Sequence, residues 1–175
     1  MSTACGSGVD MKAVAEVRDA EEGDLEAVSK LLGETWHATY DSLYGAERVA
    51  DLTRRWHSVA TLVRELADPH VILLVACREA SIIGTASTQV DPAASKLNRL
   101  YVHPSAQGQG TGTALLAAVA DRLPRDARIT LEVDPQNRRA IGFYERHGFA
   151  VTGKTGDCCG CGDRIPALIM TRGKA

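Results

Sequence analysis

Long apolar runs are missing from this chain of 175 residues. The longest, Val71–Cys77, falls far short of the ~20 residues that span a bilayer and suits a buried strand. No membrane partner is expected. A surplus of positive charge is missing too, since 20 Lys and Arg stand against 22 Asp and Glu. That balance lacks the basic footprint polyanions require, so nucleic acid is not expected as a partner. The opening MSTACGSGVD has neither a basic region nor an apolar core, unlike a secretory signal, and a cytoplasmic location is expected. Cysteines number five, an odd count that does not suggest a disulfide framework.

What is present is ordinary for a globular protein: 45% hydrophobic residues and 24% charged ones. The length suits one domain with a substantial core. Residues 1–12 read as a disordered N-terminus and 13–175 as a single domain. Ala13–Arg18 alternates weakly, as a first strand would. Asp24 is a good N-cap for a helix whose apolar face runs Leu25, Val28, Leu32, Trp36 and which ends near Tyr40. After a break at Asp41–Gly45, apolar residues from Val49 to Leu66 recur at three and four, predicting one second helix closed by Asp68-Pro69. Val71–Cys77 and Ile82–Val90 read as a hairpin, and Asp91–Ser95 as a turn.

The most informative stretch is Leu97–Leu123. A strand, Leu97–Val102, passes through a Pro-broken turn at His103–Ala106 into a glycine loop, Gln107–Gly112. That loop feeds a helix with Leu115, Leu116, Val119 and Leu123 on one face. A strand turning through glycines into a helix N-terminus is a ready anion site, because the first N–H groups lack partners and the helix dipole is positive there. Gly108, Gly110 and Gly112 leave room for a diphosphate to reach the backbone. A nucleoside-triphosphate loop would need Lys and then Ser or Thr after its last glycine, whereas Gly112 is followed by Thr113-Ala114. A dinucleotide fingerprint would need glycine where Thr113 stands, although an acid does follow roughly 20 residues on. A glycine loop with no function at all is the remaining alternative.

Farther on, Ile129–Val133 reads as a strand and Arg138–His147 as a helix. Final strands are expected around Phe149–Thr155 and Ile165–Thr171, with a loop at Gly156–Arg164. Gln107-x-x-Gly110-x-Gly112 resembles the acetyl-CoA signature of the GCN5-related N-acetyltransferases. Asn137, Ala140, Phe143, Tyr144, Gly148 and Phe149 resemble the later part of the same family's core, in the right order and at the right separation.

The resemblance implies a mixed α/β (α+β) fold with a mostly antiparallel sheet of about seven strands and helices on both faces. In that fold the fourth and fifth strands splay apart, and the pantetheine arm lies in the gap. It implies an enzyme that moves an acetyl group from acetyl-CoA to a primary amine of a small molecule or peptide, by direct transfer in a ternary complex. The amine acceptor stays unidentified. A polyamine, an antibiotic, an amino acid and a protein N-terminus remain open, as does a non-catalytic acyl-CoA sensor. Dimerisation is common in that family, and a homodimer is kept as an option.

Gln107, Gly108, Gln109, Gly110, Thr111, Gly112 and Thr113 are expected to hold the diphosphate, mainly through main-chain N–H groups, with the Thr113 hydroxyl as an extra donor. By resemblance Leu100, Tyr101 and Val102 offer backbone groups to the pantetheine, and Asn137 and Phe143 touch the cofactor arm. Tyr144 is the expected general acid, since a phenol stays protonated at neutral pH. Glu132, an acid inside an apolar strand, is the expected base; an exposed strand position is the plain alternative. Aromatics around Trp36, Tyr40 and Tyr44 border the acceptor side or cap the core, with capping preferred for Trp36. His37 and His57 read as surface residues without partners. Three thiols at Cys158, Cys159 and Cys161 are one short of a zinc set, and no metal is expected.

Overall fold

The computed structural model describes residues 15–158 and 162–173. The expected disordered N-terminus, the first residues of the first strand, Cys159 and Cys161 lie outside them. Seven strands form one sheet: β1 Glu16–Asp19, β2 Val71–Arg78, β3 Ser81–Gln89, β4 Ser95–Val102, β5 Ile129–Val133, β6 Ala150–Thr155 and β7 Ala167–Arg172. Their order is β1-β2-β3-β4-β5-β7-β6, with every pairing antiparallel except β4 with β5. The helices are α1 Leu25–Tyr44, α2 Ala46–Trp56, α3 Val59–Ala67, α4 Thr111–Arg122 and α5 Arg138–Arg146. Among the described residues no helix is long and apolar enough to cross a membrane.

Alternation in the strands sorts side chains to two faces. Leu74, Ala86, Leu97, Leu131 and Met170 pack with Leu115, Leu116 and Val119 of α4 and Tyr144 of α5. Leu73 and Val75 point the other way, against Leu25, Val28 and Leu32 of α1 and Leu62 of α3. A third cluster joins Trp36 and Tyr40 of α1 to Val49 and Leu52 of α2 and to Ile165.

Two helix boundaries differ from the sequence reading. α1 does not end near Tyr40 but runs to Tyr44, where Gly45 stops it at a φ of 83°. The second helix is two: the chain bends after Trp56, and Ser58 caps α3 by accepting from the Thr61 N–H at 3.3 Å. Periodicity alone continued through that bend because Val49, Leu52, Val59 and Leu62 keep the same apolar spacing.

β4 and β5 pair only from Ser95↔Ile129 to Leu97↔Leu131. On its other edge β4 stays with β3, but the register steps from Thr88↔Leu97 to Ser87↔Arg99, leaving Asn98 as the extra residue of a bulge. Beyond it the two strands part. Arg99, nearly buried at 9% exposed, ties the diverging half of β4 to the α2–α3 corner. Its guanidinium donates to the Glu65 carboxylate, to His57 Nδ1 at 3.2 Å and to the Trp56 carbonyl at 2.8 Å. Ser87 Oγ adds a hydrogen bond to Glu65 at 3.0 Å.

His57 is therefore not the unpartnered surface residue expected from the sequence; it is buried and accepts a hydrogen bond. Burial, reinforced by the Arg99 cation, pushes its pKa down to about 3 from the ordinary 6.5. As pH falls below 6.5, the unfolded chain gains a proton here that the folded chain refuses until about 3. Within that window His57 should remove about 1.4 kcal/mol of stability per pH unit, with no effect above it. Denaturant unfolding of wild type and His57→Gln between pH 7 and 4 should show the two stability curves converging by this slope as the pH is lowered.

Candidate active site

Where β4 and β5 part, a cleft of about 720 Å³ opens between the sheet and the N-terminal ends of α4 and α5. The splayed half of β4 contributes Leu100, Tyr101 and Val102, and the end of β5 contributes Glu132. Leu100 and Val102 lean on the α4 side of the core, while Tyr101 faces α1, its ring 6.4 Å from Trp36.

The glycine loop forms one end of the cleft. Gly108 and Gly110 have φ of 76° and 85°, left-handed values that cost glycine little, and nothing lies within 4 Å of where a Cβ would sit. Gly110 is the N-cap of α4, and the first intrahelical bond runs from the Ala114 N–H to the Gly110 carbonyl at 2.9 Å. The N–H groups of Thr111, Gly112 and Thr113 precede it and have no partner within the helix. At Gly112 the Phe143 ring lies 3.4 Å from where a Cβ would sit, an ordinary van der Waals contact.

Gln107 acts as a strap. Its amide donates to the Val102 carbonyl at 2.9 Å and its oxygen accepts from Arg139 of α5. Gln109 and Thr111 do not line the cleft. The Gln109 side chain bonds back to the Ser105 carbonyl at 3.1 Å, and Thr111 is buried, its hydroxyl without a partner among the described residues. Thr113 does face the cleft, with its hydroxyl 3.1 Å from His147 Nε2.

Tyr144 stands on α5 at the centre of the cleft lining, its ring 5.3 Å from Phe143 and 5.5 Å from Phe149. Its hydroxyl has no hydrogen-bond partner among the described residues. Burial, with a smaller contribution from Tyr40, pushes the phenol above its ordinary pKa, so the proton is held firmly. Glu132 reaches the cleft from β5 and pairs with Lys96 Nζ at 2.9 Å. Asn137 caps α5 by accepting from the Ala140 N–H at 3.1 Å and donates to the Tyr40 hydroxyl at 3.1 Å, so it joins α5 to α1.

The other end of the cleft is aromatic and acidic. Trp36, Tyr40 and Tyr44 rise along one face of α1 at intervals of four, with Trp56 of α2 beside them. Asp134, only 7% exposed, accepts from the Gln136 N–H at 2.7 Å and from the Tyr44 hydroxyl. Burial pushes Tyr40 up to about 12; burial and then Asp134 push Tyr44 well above the ordinary phenol. Asp134 escaped sequence reasoning because Asp-Pro after a strand reads as a turn. Tyr44 was expected at the acceptor side, but its pairing with Asp134 was not, because a helix ending near Tyr40 leaves its direction open.

Similar proteins share this arrangement of elements. The model of the acetyltransferase (GNAT) family matches residues 25–149. A spermidine N(1)-acetyltransferase of Thermoplasma acidophilum is 27% identical over 143 residues, covering 78% of this chain and 88% of its own. A peptidyl-lysine N-acetyltransferase, YjaB, of Salmonella typhimurium is 36% identical over 59 residues, 34% of this chain and 39% of its own. Among solved structures, a PaiA N-acetyltransferase from Thermoplasma acidophilum in complex with coenzyme A superposes with a TM-score of 0.81 at 24% identity, covering 91% of this chain and 98% of that one. The ribosomal-protein-S18-alanine N-acetyltransferase of Escherichia coli gives 0.71 at 24% identity, covering 92% and 94%. With a parted fourth and fifth strand, a glycine-capped helix beside them and a family model spanning both, the chain belongs to the acetyltransferase (GNAT) family and is an acetyl-CoA-dependent N-acetyltransferase.

Proposed function

We propose that this enzyme transfers acetyl from acetyl-CoA to the primary amine of a small alkylamine, directly and in a ternary complex. The observation that carries the reading is one cleft with opposite chemical ends. Partnerless helix N–H groups stand at one, carboxylates and aromatic rings at the other, and the unpaired Tyr144 hydroxyl between them.

The donor diphosphate takes the N–H groups of the loop and first turn of α4, where the helix dipole favours an anion. Gly108 and Gly110 admit it because no side chain stands above their backbone. The pantetheine arm extends along the half of β4 that β5 has left, against Leu100–Val102 and Phe143. The acceptor enters past Trp36, Tyr40 and Tyr44, whose ring faces and the Asp134 and Glu132 carboxylates attract an ammonium group. A spermidine acetyltransferase and a peptidyl-lysine acetyltransferase among the similar proteins agree with an alkylamine acceptor.

An alkylammonium with a pKa of ~10.4 must first lose a proton, at a cost of about 4–5 kcal/mol near neutrality. Glu132 receives that proton and remains anchored by Lys96. The neutral nitrogen then attacks the thioester carbonyl, forming a C–N bond while the carbonyl electrons move to oxygen. Main-chain N–H groups on the free stretch of β4 stabilise that oxyanion. As the C–S bond breaks, the electron pair leaves with sulfur, and the Tyr144 hydroxyl supplies its proton. The phenolate regains a proton from the acetylated nitrogen or from solvent.

Three outcomes test these assignments. Tyr144→Phe should lower kcat by about 10²–10⁴ while the calorimetric Kd for acetyl-CoA stays near wild type; unchanged turnover removes the role. Glu132→Gln should lower kcat/KM by about 10² or more and leave a residual rate rising roughly tenfold per pH unit, following the free neutral amine. Gly110→Asp sets a negative charge at the cradle and should weaken acetyl-CoA binding by about 100-fold or more, a like-charge cost of several kcal/mol. An unchanged Kd in that variant would refute the donor cradle.

A further inference from the structure

His147 follows α5, lines the cleft, and stacks on Phe143 with ring centroids 4.3 Å apart. Its Nδ1 lies 2.8 Å from the Phe143 carbonyl oxygen, and its Nε2 lies 3.1 Å from Thr113 Oγ. The two contacts together determine the direction of both hydrogen bonds. A carbonyl only accepts, so Nδ1 carries a hydrogen in every protonation state. In the neutral ring Nε2 then has none, and the Thr113 hydroxyl spends its only hydrogen on it. In the charged ring Nε2 also donates, so Thr113 Oγ becomes the acceptor and its hydrogen is released.

The geometry points to His147 as a positioning residue for the donor diphosphate, turning the Thr113 hydroxyl from a donor to histidine into a donor to the anion when the ring gains a proton. The inference rests on the donor reading above, because Thr113 is in the first turn of α4, beside the N–H groups assigned to the diphosphate. Cations at this end of the cleft disfavour a charged ring and the donor diphosphate favours it, so uptake of proton and anion is linked. Arg139 and Arg146 of α5 line the same cleft, and the stem of Arg172 from β7 passes 3.7 Å from the Cβ position of Gly148. All three are guanidinium groups, which only donate, and α4 presents the Thr113 hydroxyl, so the imidazole is the group of this set that can take up a proton while keeping both of its contacts. The ring itself is held in place, clamped to Phe143, which in turn closes on Gly112. Protonation therefore reverses a hydrogen bond without moving a side chain.

The consequence is donor affinity that increases as pH falls. Dephospho-coenzyme A is the suitable probe, because it keeps the diphosphate diester but lacks the 3′-phosphate, which would itself titrate. Calorimetry at about pH 5.5 and about pH 8.5 should show the wild-type Kd tightening by about tenfold at the lower pH, the gain of one hydrogen bond to a charged group. His147→Gln should show the same Kd at both pH values. Thr113→Val should keep about threefold or less, the share due to the imidazolium charge alone. A wild-type Kd independent of pH overturns the proposal, as does a full tenfold change in either variant; circular dichroism checks that both variants are folded. If wild type binds the probe at neither pH, the donor cradle itself is wrong, and that result is distinct from binding without the pH dependence.

Discussion

The structure depends on two neighbouring strands that stop bonding to each other after three residue pairs. Main-chain groups left unpaired in a protein interior cost about 1–3 kcal/mol each, so a half-open sheet needs support from elsewhere. Here it has support on both sides. Asn98 bulges out of the β3–β4 ladder and turns β4, and Arg99, one residue later, anchors that strand to Glu65, His57 and the Trp56 carbonyl. β5 stays fully paired with β7 along Ile129–Val133. A buried arginine bonded to three groups is hard to move, since breaking such a pair leaves an uncompensated charge. The gap is thus a rigid slot, and in the proposed donor pose an extended arm entering it would supply the missing strand contacts.

The slot is electrostatically graded. At its donor end are the start of α4 and the cations Arg139 and Arg146; at its acceptor end are Glu132 and Asp134 among aromatic rings. Such a gradient suits a reaction that joins an anionic carrier to a cationic amine. Burial raises the pKa of Tyr40, Tyr44, Tyr101 and Tyr144 alike, so each of these cleft phenols holds its proton. Tyr44 spends its hydrogen on Asp134, whereas Tyr40 accepts from Asn137 and keeps its own. Tyr144 lines the same cleft as the splayed half of β4 and is the phenol proposed to protonate the leaving group.

The acceptor wall is assembled from distant parts of the chain. The segment between β6 and β7 docks on α2 where the Arg55 guanidinium meets the Asp163 carboxylate at 2.7 and 3.0 Å and Arg48 donates to the Asp163 carbonyl. Asp157 folds that segment back by accepting from the Gly162 and Arg164 N–H groups. Ile165 is thereby buried against Trp36 and Tyr40, and Cys158 reaches the same cluster. The Arg55 pair is exposed and contributes little stability by itself. What it does is set where the wall stands.

The glycine loop and the start of α4 were readable from residue order because the physics that forms them is local. Left-handed glycines, a helix N-cap and apolar spacing act over a few neighbouring residues, so Gln107–Thr113 and the helix that follows carried their meaning in sequence. Tyr144 was readable only as part of a family pattern, and its isolation from other hydrogen-bonding groups is a property of packing. Three-dimensional structure alone decided the remainder: the Asn98 bulge, the bend that splits α2 from α3, the burial of His57, the Tyr44–Asp134 pair and the histidine behind Thr113. Apart from the Ser58 cap that starts α3, these depend on partners 34 to 90 positions apart or on a register between strands. Hydrophobic periodicity reports which face of an element is buried, but not which distant element covers it, and the acceptor site is made from that second kind of information.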